Sequence, residues 1–182
     1  LYRAVSRKGP KGRRFFFVDR AAQVGIVTGK PKVGWAAAFM DIGNDGALDL
    51  LEITGRPNPP EGDPLGGTMA AEVAQLYMNK GKGVLEPSNV GPGDPLARAR
   101  VGRGAGFGDL DRDGTVDLVL NNNNQAAELL MQNPAQGAWI GLWPVGTASN
   151  RDAVGASLEL EQAGSRRIRQ VTSGESYFSS NA

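Results

Sequence analysis

The chain has 182 residues, with 20 Lys plus Arg against 19 Asp plus Glu, no Cys and no His. Without Cys there is no disulfide framework, thiolate nucleophile or zinc ribbon, and without His triad hydrolysis and most zinc chemistry drop out. Any metal must be held by oxygen, and a net charge of +1 gives no global steering toward nucleic acid.

Charge is distributed unevenly along the chain. Residues 1 to 40 hold nine basic and one acidic side chain, whereas residues 41 to 95 hold three basic and nine acidic ones. The basic stretch Arg3 to Arg14 reads as a solvated hairpin tip, and Phe15, Phe16 and Phe17 after it as a buried strand. Gly34 to Gly55, GWAAAFMDIGNDGALDLLEITG, reads as strand, tight acidic loop, strand, because Gly before the loop disfavours a helix and Leu48, Leu50 and Ile53 after it are apolar strand formers. Arg56 to Thr68, with four Pro, is a solvated loop. A helix is plausible around Met69 to Met78. Gly102 to Asn122, GRGAGFGDLDRDGTVDLVLNN, repeats the strand, loop, strand pattern, with Val116, Leu118 and Leu120 at the period of a half-buried strand. Asn121 to Asn124 reads as an ordinary turn.

From about Ala138 the pattern changes. Trp139 to Thr147, Ala153 to Gln162 and Arg166 to Thr172 read as three strands separated by Asn150-Arg151-Asp152 and Ala163-Gly164-Ser165. Arg166, Arg167 and Arg169 are expected to face solvent or to pair with Glu159 and Glu161 across a hairpin. The longest apolar run is Trp35 to Met40, six residues, far short of the roughly 20 that span a bilayer. No transmembrane segment is expected. Leu1 is not an initiator Met, so a lost start is expected.

Self-similarity organises these elements. Leu1-Tyr2-Arg3 recurs as Leu76-Tyr77-Met78-Asn79 and more loosely as Leu129-Leu130-Met131-Gln132. With Phe39 aligned on Phe107, Asp41 matches Asp109, Asp45 matches Asp113, Gly46 matches Gly114, Asp49 matches Asp117 and Leu50 matches Leu118. The fold expected is all-β, with about two repeat units over 1–137, at about 1–75 and 76–137, and a small β domain over 138–182.

The acidic loops carry the candidate chemistry. Asp109, Asp111, Asp113 and Asp117 occupy positions 1, 3, 5 and 9 of the second loop, with Gly114 at position 6. Hard divalent cations take six to eight oxygens, and Gly at position 6 permits the bend that aims the Thr115 carbonyl inward. Asp41, Asp45 and Asp49 are the matching set in the first loop, where Gly43 removes one carboxylate and predicts weaker binding. An EF-hand would need a bidentate Glu at position 12 and two flanking helices. Position 12 of the second loop is Leu120; that of the first is Glu52, but Gly55 and Pro57 leave no room for an exit helix.

The strings AFMDIGNDGALDLL and GFGDLDRDGTVDLVL, each leading to a Leu-Leu/Tyr-x-Asn strand, resemble the FG-GAP or VCBS repeat of calcium-binding β-propellers. Gly146 to Ala156, Gly-Thr-x-Ser-Asn-Arg-Asp-x-x-Gly-Ala, is similar to the ASPIC/UnbV domain of cartilage-acidic-protein-like proteins, whose pattern does not complete before Ala182. The first resemblance implies calcium ligation by Asp109, Asp111, Asp113 and Asp117, with Asp41, Asp45 and Asp49 as the set with one position lost. A propeller closes with about four to eight blades, so two repeats imply a fragment or edges covered by other copies. Asp111-Arg112-Asp113-Gly114-Thr115 also looks like the nucleophile motif of haloacid dehalogenase phosphatases, but Gly106, Gly108 and Asp109 spoil the apolar strand that this chemistry needs, and the first copy deletes the nucleophile.

The expectation is a calcium-stabilised, non-catalytic interaction or adhesion module, extracellular, at the cell surface or periplasmic. Its partner would be a protein or polysaccharide rather than nucleic acid. The alternative is a subunit of a surface filament or layer that self-associates through sheet edges, and third is the phosphatase.

Overall fold

A computed structural model describes residues 2–26, 32–57, 71–81, 83–134, 138–162 and 164–174. The architecture is all-β: the described residues form eleven strands in four antiparallel sheets, with two short 3-10 turns at Ala22–Val24 and Pro95–Ala97. Among the described residues no helix is long and apolar enough to cross a membrane.

Strands β1 (Tyr2–Gly9) and β2 (Gly12–Asp19) pair as a hairpin closed at Gly9 and Gly12. Gly12 has φ +107, which a Cβ would disfavour in so tight a turn. The basic tip is exposed as expected. The three phenylalanines are in a strand but not in a core: Phe15 is 69% and Phe17 75% exposed, and Phe16 is exposed on the opposite face beside Val5. The expected burial fails because β1 and β2 form a sheet of two strands and, among the described residues, nothing is laid over either face.

The two Asp-rich copies build the centre. Strands β3 (Gly34–Met40), β4 (Asp49–Thr54), β5 (Gln75–Asn79) and β6 (Leu85–Pro87) form one four-stranded meander. Strands β7 (Gly102–Gly108), β8 (Asp117–Asn122) and β9 (Glu128–Leu130) form a three-stranded one. The duplication extends to register. Phe39 pairs with Leu50 as Phe107 pairs with Leu118, and each first hairpin shifts register two residues into its leading strand, at Gly34/Ala36 and at Gly102/Gly104. Leu50 faces Tyr77 as Leu118 faces Leu130.

The helix expected around Met69 to Met78 is corrected over its last part. Gln75 to Asn79 is strand β5, while Met69 and Ala70 lie outside the described residues. Leu76 and Tyr77 are adjacent and both buried, each in a different apolar cluster. A helix would turn successive side chains by about 100°, whereas a strand covered on both faces accommodates this pair.

Apolar burial joins the two sheets. Ala36, Ala38, Met40, Leu51 and Ile53 of the first pack with Ala105, Leu118 and Leu120 of the second in one cluster, and Leu50, Tyr77 and Leu85 form another. Each fully buried Leu or Ile contributes about 2 kcal/mol. The backbones come close at Gly55 and Gly102: a Cβ on Gly55 would stand 2.7 Å from the Gly102 nitrogen. Arg103 bridges the same seam, with its guanidinium 4.4 Å from the centre of the Trp35 ring and donating to the Gly55 carbonyl at 3.0 Å. Arg100, 1% exposed, pairs with Glu128 at 3.1 Å and donates to the Pro95 carbonyl.

Beyond residue 137 only two of the three expected strands form, β10 (Ser157–Gln162) and β11 (Ser165–Gln170). Trp139 to Thr147 is irregular and mostly exposed. Pro144 lacks the N–H a ladder needs, and Gly141 and Gly146 weaken a strand further.

Candidate metal centre

The second loop lies between β7 and β8, so both ends of the acidic turn are anchored by paired backbone. Gly114 takes φ +90 and Arg112 φ +65. These left-handed residues fold the chain sharply enough for one carboxylate to hold several amides. Asp109 accepts from the N–H of Asp113 through Oδ1 and of Gly114 through Oδ2, both at 3.0 Å. Asp111 Oδ1 accepts from the Asp113 N–H at 3.3 Å. Asp113 Oδ1 takes the Thr115 N–H at 2.8 Å and its hydroxyl at 2.5 Å. Asp117, 1% exposed, accepts from Leu110 N–H at 2.9 Å and Gln132 N–H at 3.0 Å.

Carboxylate oxygens of Asp109, Asp111 and Asp117 all lie within 4.8 Å of one another, with the first two exposed. Three like charges at this spacing repel, and a hard cation relieves the repulsion. The donor set is purely oxygen, which suits calcium or magnesium rather than zinc or copper. Asp113, expected in the same set, is outside this triple, its Oδ1 engaged by Thr115. Thr115 is buried.

The first loop repeats the scaffold. Asp41 accepts from the N–H of Asp45 at 3.0 Å and Gly46 at 2.8 Å, Asp45 from Ala47 at 2.8 Å, and buried Asp49 from Ile42 at 3.1 Å and Asn79 at 2.7 Å. Asn79 thus does for Asp49 what Gln132 does for Asp117. Yet among the described residues Asp41, Asp45 and Asp49 form no convergent acidic group. The lost acid at Gly43 explains it. The Asn44 amide nitrogen donates across to the Gly114 carbonyl at 2.6 Å and joins the two loops. Burial holds the Asp41 carboxyl above the usual carboxylate range, although the amides of Gly46 and Asp45 and the charge of Arg169 act the other way.

Sequence reasoning missed what lies over the loops. Arg166 pairs with Glu159 as expected. Arg167 and Arg169 do not: they reach the first loop, Arg167 donating to the Asp45 carbonyl at 2.7 Å and Arg169 to the Gly46 carbonyl at 3.0 Å. Across the strand from these two stand Leu160 and Leu158 rather than a glutamate, so β10 offers them no charge partner. Trp139 covers Gly114.

The arrangement defines an all-β protein with duplicated Asp-loop hairpins, one of which gathers three carboxylates. A family model described as ASPIC and UnbV matches residues 146–182, the segment that includes β10 and β11. The match covers only that C-terminal part. No curated protein matches the chain.

Proposed function

We propose that this chain is a calcium-stabilised, non-catalytic interaction module that works outside the cytoplasm, built from FG-GAP/VCBS-type repeats over 1–137 and an ASPIC/UnbV-like domain over 138–182. The observation that carries the reading is the convergence of Asp109, Asp111 and Asp117 in a loop fixed at both ends by strands. A cation there would tie β7 to β8 and quench the repulsion of the turn. Sites of modest affinity fill where calcium is millimolar, which is the basis for placing the protein at a cell surface, in the periplasm or outside the cell. Its partner would be a surface protein or polysaccharide. The non-catalytic part rests on the absence of His and Cys and on the glycines that precede the loop.

Thermal unfolding with calcium and then with excess EDTA, on wild type and Asp111→Ala, tests this. Calcium should raise the wild-type midpoint by several degrees, as a ligand that binds only the folded state does. The variant should not respond. Equal midpoints in all four conditions would end the calcium reading, and turnover of a phosphate ester with magnesium would replace it with the phosphatase.

A second reading, a subunit joined to its copies through sheet edges, is favoured by the β1–β2 hairpin, which exposes Phe15, Phe16 and Phe17.

A further inference from the structure

The two Asp loops share a scaffold but are covered differently. Over the second, the Trp139 ring stands where a Cβ on Gly114 would be, and over the first the Arg167 guanidinium stands where a Cβ on Gly46 would be. Both glycines are at position 6 and both have positive φ, +90 and +86. In each copy the residue that makes the turn also leaves a socket, and the segment after residue 137 fills both.

The first socket is filled by cations. Arg167 and Arg169 are two apart on β11 and so project from one face of the hairpin. Arg167 donates to the Asp45 carbonyl at 2.7 Å, Arg169 to the Gly46 carbonyl at 3.0 Å, and the Arg169 Nη2 stands 3.7 Å from Asp41 Oδ2. Two successive carbonyls and a carboxylate make an acceptor set that fits the planar, multi-donor guanidinium. The same loop lacks an acid at Gly43 and gathers no convergent carboxylates among the described residues.

We propose that the first Asp loop is an arginine latch: guanidinium groups of β11 replace the divalent cation in a degenerate copy of the loop and hold the C-terminal hairpin against the repeat region. The latch does not depend on calcium at the second loop. A stoichiometry of one cation per chain does rest on that reading.

Hydrogen exchange over β10 and β11 tests the latch, with calcium and with EDTA, in wild type and in Arg167→Ala/Arg169→Ala. The double variant should exchange about tenfold faster across these strands in both conditions, while β3, β4, β7 and β8 keep their protection as an internal check on folding. Raising salt from about 0.05 to about 0.5 M should speed exchange in the wild type and leave the double variant unchanged. Arg167→Lys/Arg169→Lys, which keeps the charge but not the fork, should lie between them. Unchanged exchange in the alanine variant overturns the latch. In a calcium titration the wild type should take one equivalent and Asp111→Ala none. Two equivalents in the wild type, one of them surviving in Asp111→Ala, would also overturn it. If the wild type takes no calcium, the metal reading falls and exchange alone decides the latch.

Discussion

At the scale of single residues, the aspartates of the second loop divide into two kinds of work. Asp117 is buried and holds two backbone amides, from Leu110 at the start of the loop and Gln132 beyond β9. Its loss strands two partly buried donors whether or not a metal is present, so Asp117→Ala should cost about 2 kcal/mol in EDTA as well as in calcium. Asp111 is exposed and accepts a single long hydrogen bond from the Asp113 amide. Removing it relieves charge repulsion, so Asp111→Ala should stay within about 0.5 kcal/mol of wild type in EDTA and differ only when calcium is added. Denaturant unfolding in both conditions separates the two roles. If Asp111→Ala were as costly as Asp117→Ala in EDTA, Asp111 would be holding the loop rather than a cation. Asp49, buried with two amide partners of its own, should behave like Asp117.

At the scale of elements, Glu128 on β9 shows how strand ends are fastened. Its carboxylate pairs with buried Arg100 and accepts from Asn122 at 2.9 Å. Burial pushes the Glu128 pKa up, but the hydrogen bond and charge of Arg100, with Asn122 and Arg98, outweigh it and hold the group below its ordinary value of 4.5. The folded state therefore binds this proton less readily than the unfolded chain. The stabilisation is fully present above about pH 4.5 and is lost as pH falls through the depressed folded value. Glu128→Ala, which strands a buried guanidinium, should cost about 3 kcal/mol at neutral pH and flatten the acid limb of the stability curve; an acid limb identical to wild type would show that Glu128 does not supply it. The strands around the Asp loops were legible because Gly, Asp and apolar residues alternate there at fixed spacing. Strand β5 could be read only through the repeat resemblance and not from its local pattern, because both of its faces are buried and its apolar residues are adjacent. Residues 139 to 147 misled through apolar and aromatic composition that Pro144 and two glycines prevent from pairing. The convergence of Asp109, Asp111 and Asp117 could be read from spacing alone, whereas the place of Asp113 outside that triple could not. The arginines over the first loop could not, since Arg167 meets Asp45 from 122 positions away and no local pattern encodes such a contact.

At the scale of the whole molecule, the sheets differ in how complete they are. The central meander has four strands and the second has three, and among the described residues no strand pairs with β9 on its outer edge. In sequence, Leu1-Tyr2, whose Tyr2 begins β1, recurs as Leu76-Tyr77 in β5, and β5 is paired on one side with β4 and on the other with β6. By that equivalence β1 and β2 stand for the outer half of a sheet, and among the described residues no strand pairs with β1 on the edge where β5 meets β4. The faces agree with the edge. Phe15 and Phe17 lie on one face, and Phe16, Val5 and Val18 on the other. Each aromatic ring would bury about 150 to 250 Å² against a partner, a few kcal/mol apiece at about 25 cal/mol per Å². An open edge combined with apolar faces favours strand addition. Light scattering across a concentration series should therefore show wild-type particles growing with concentration, while Phe15→Ser/Phe17→Ser, exposed positions whose loss leaves the two central sheets untouched, should remain at the mass of one chain. If the wild type holds the mass of one chain throughout, the sheet-edge assembly is refuted and the hairpin must be covered by something other than a second copy.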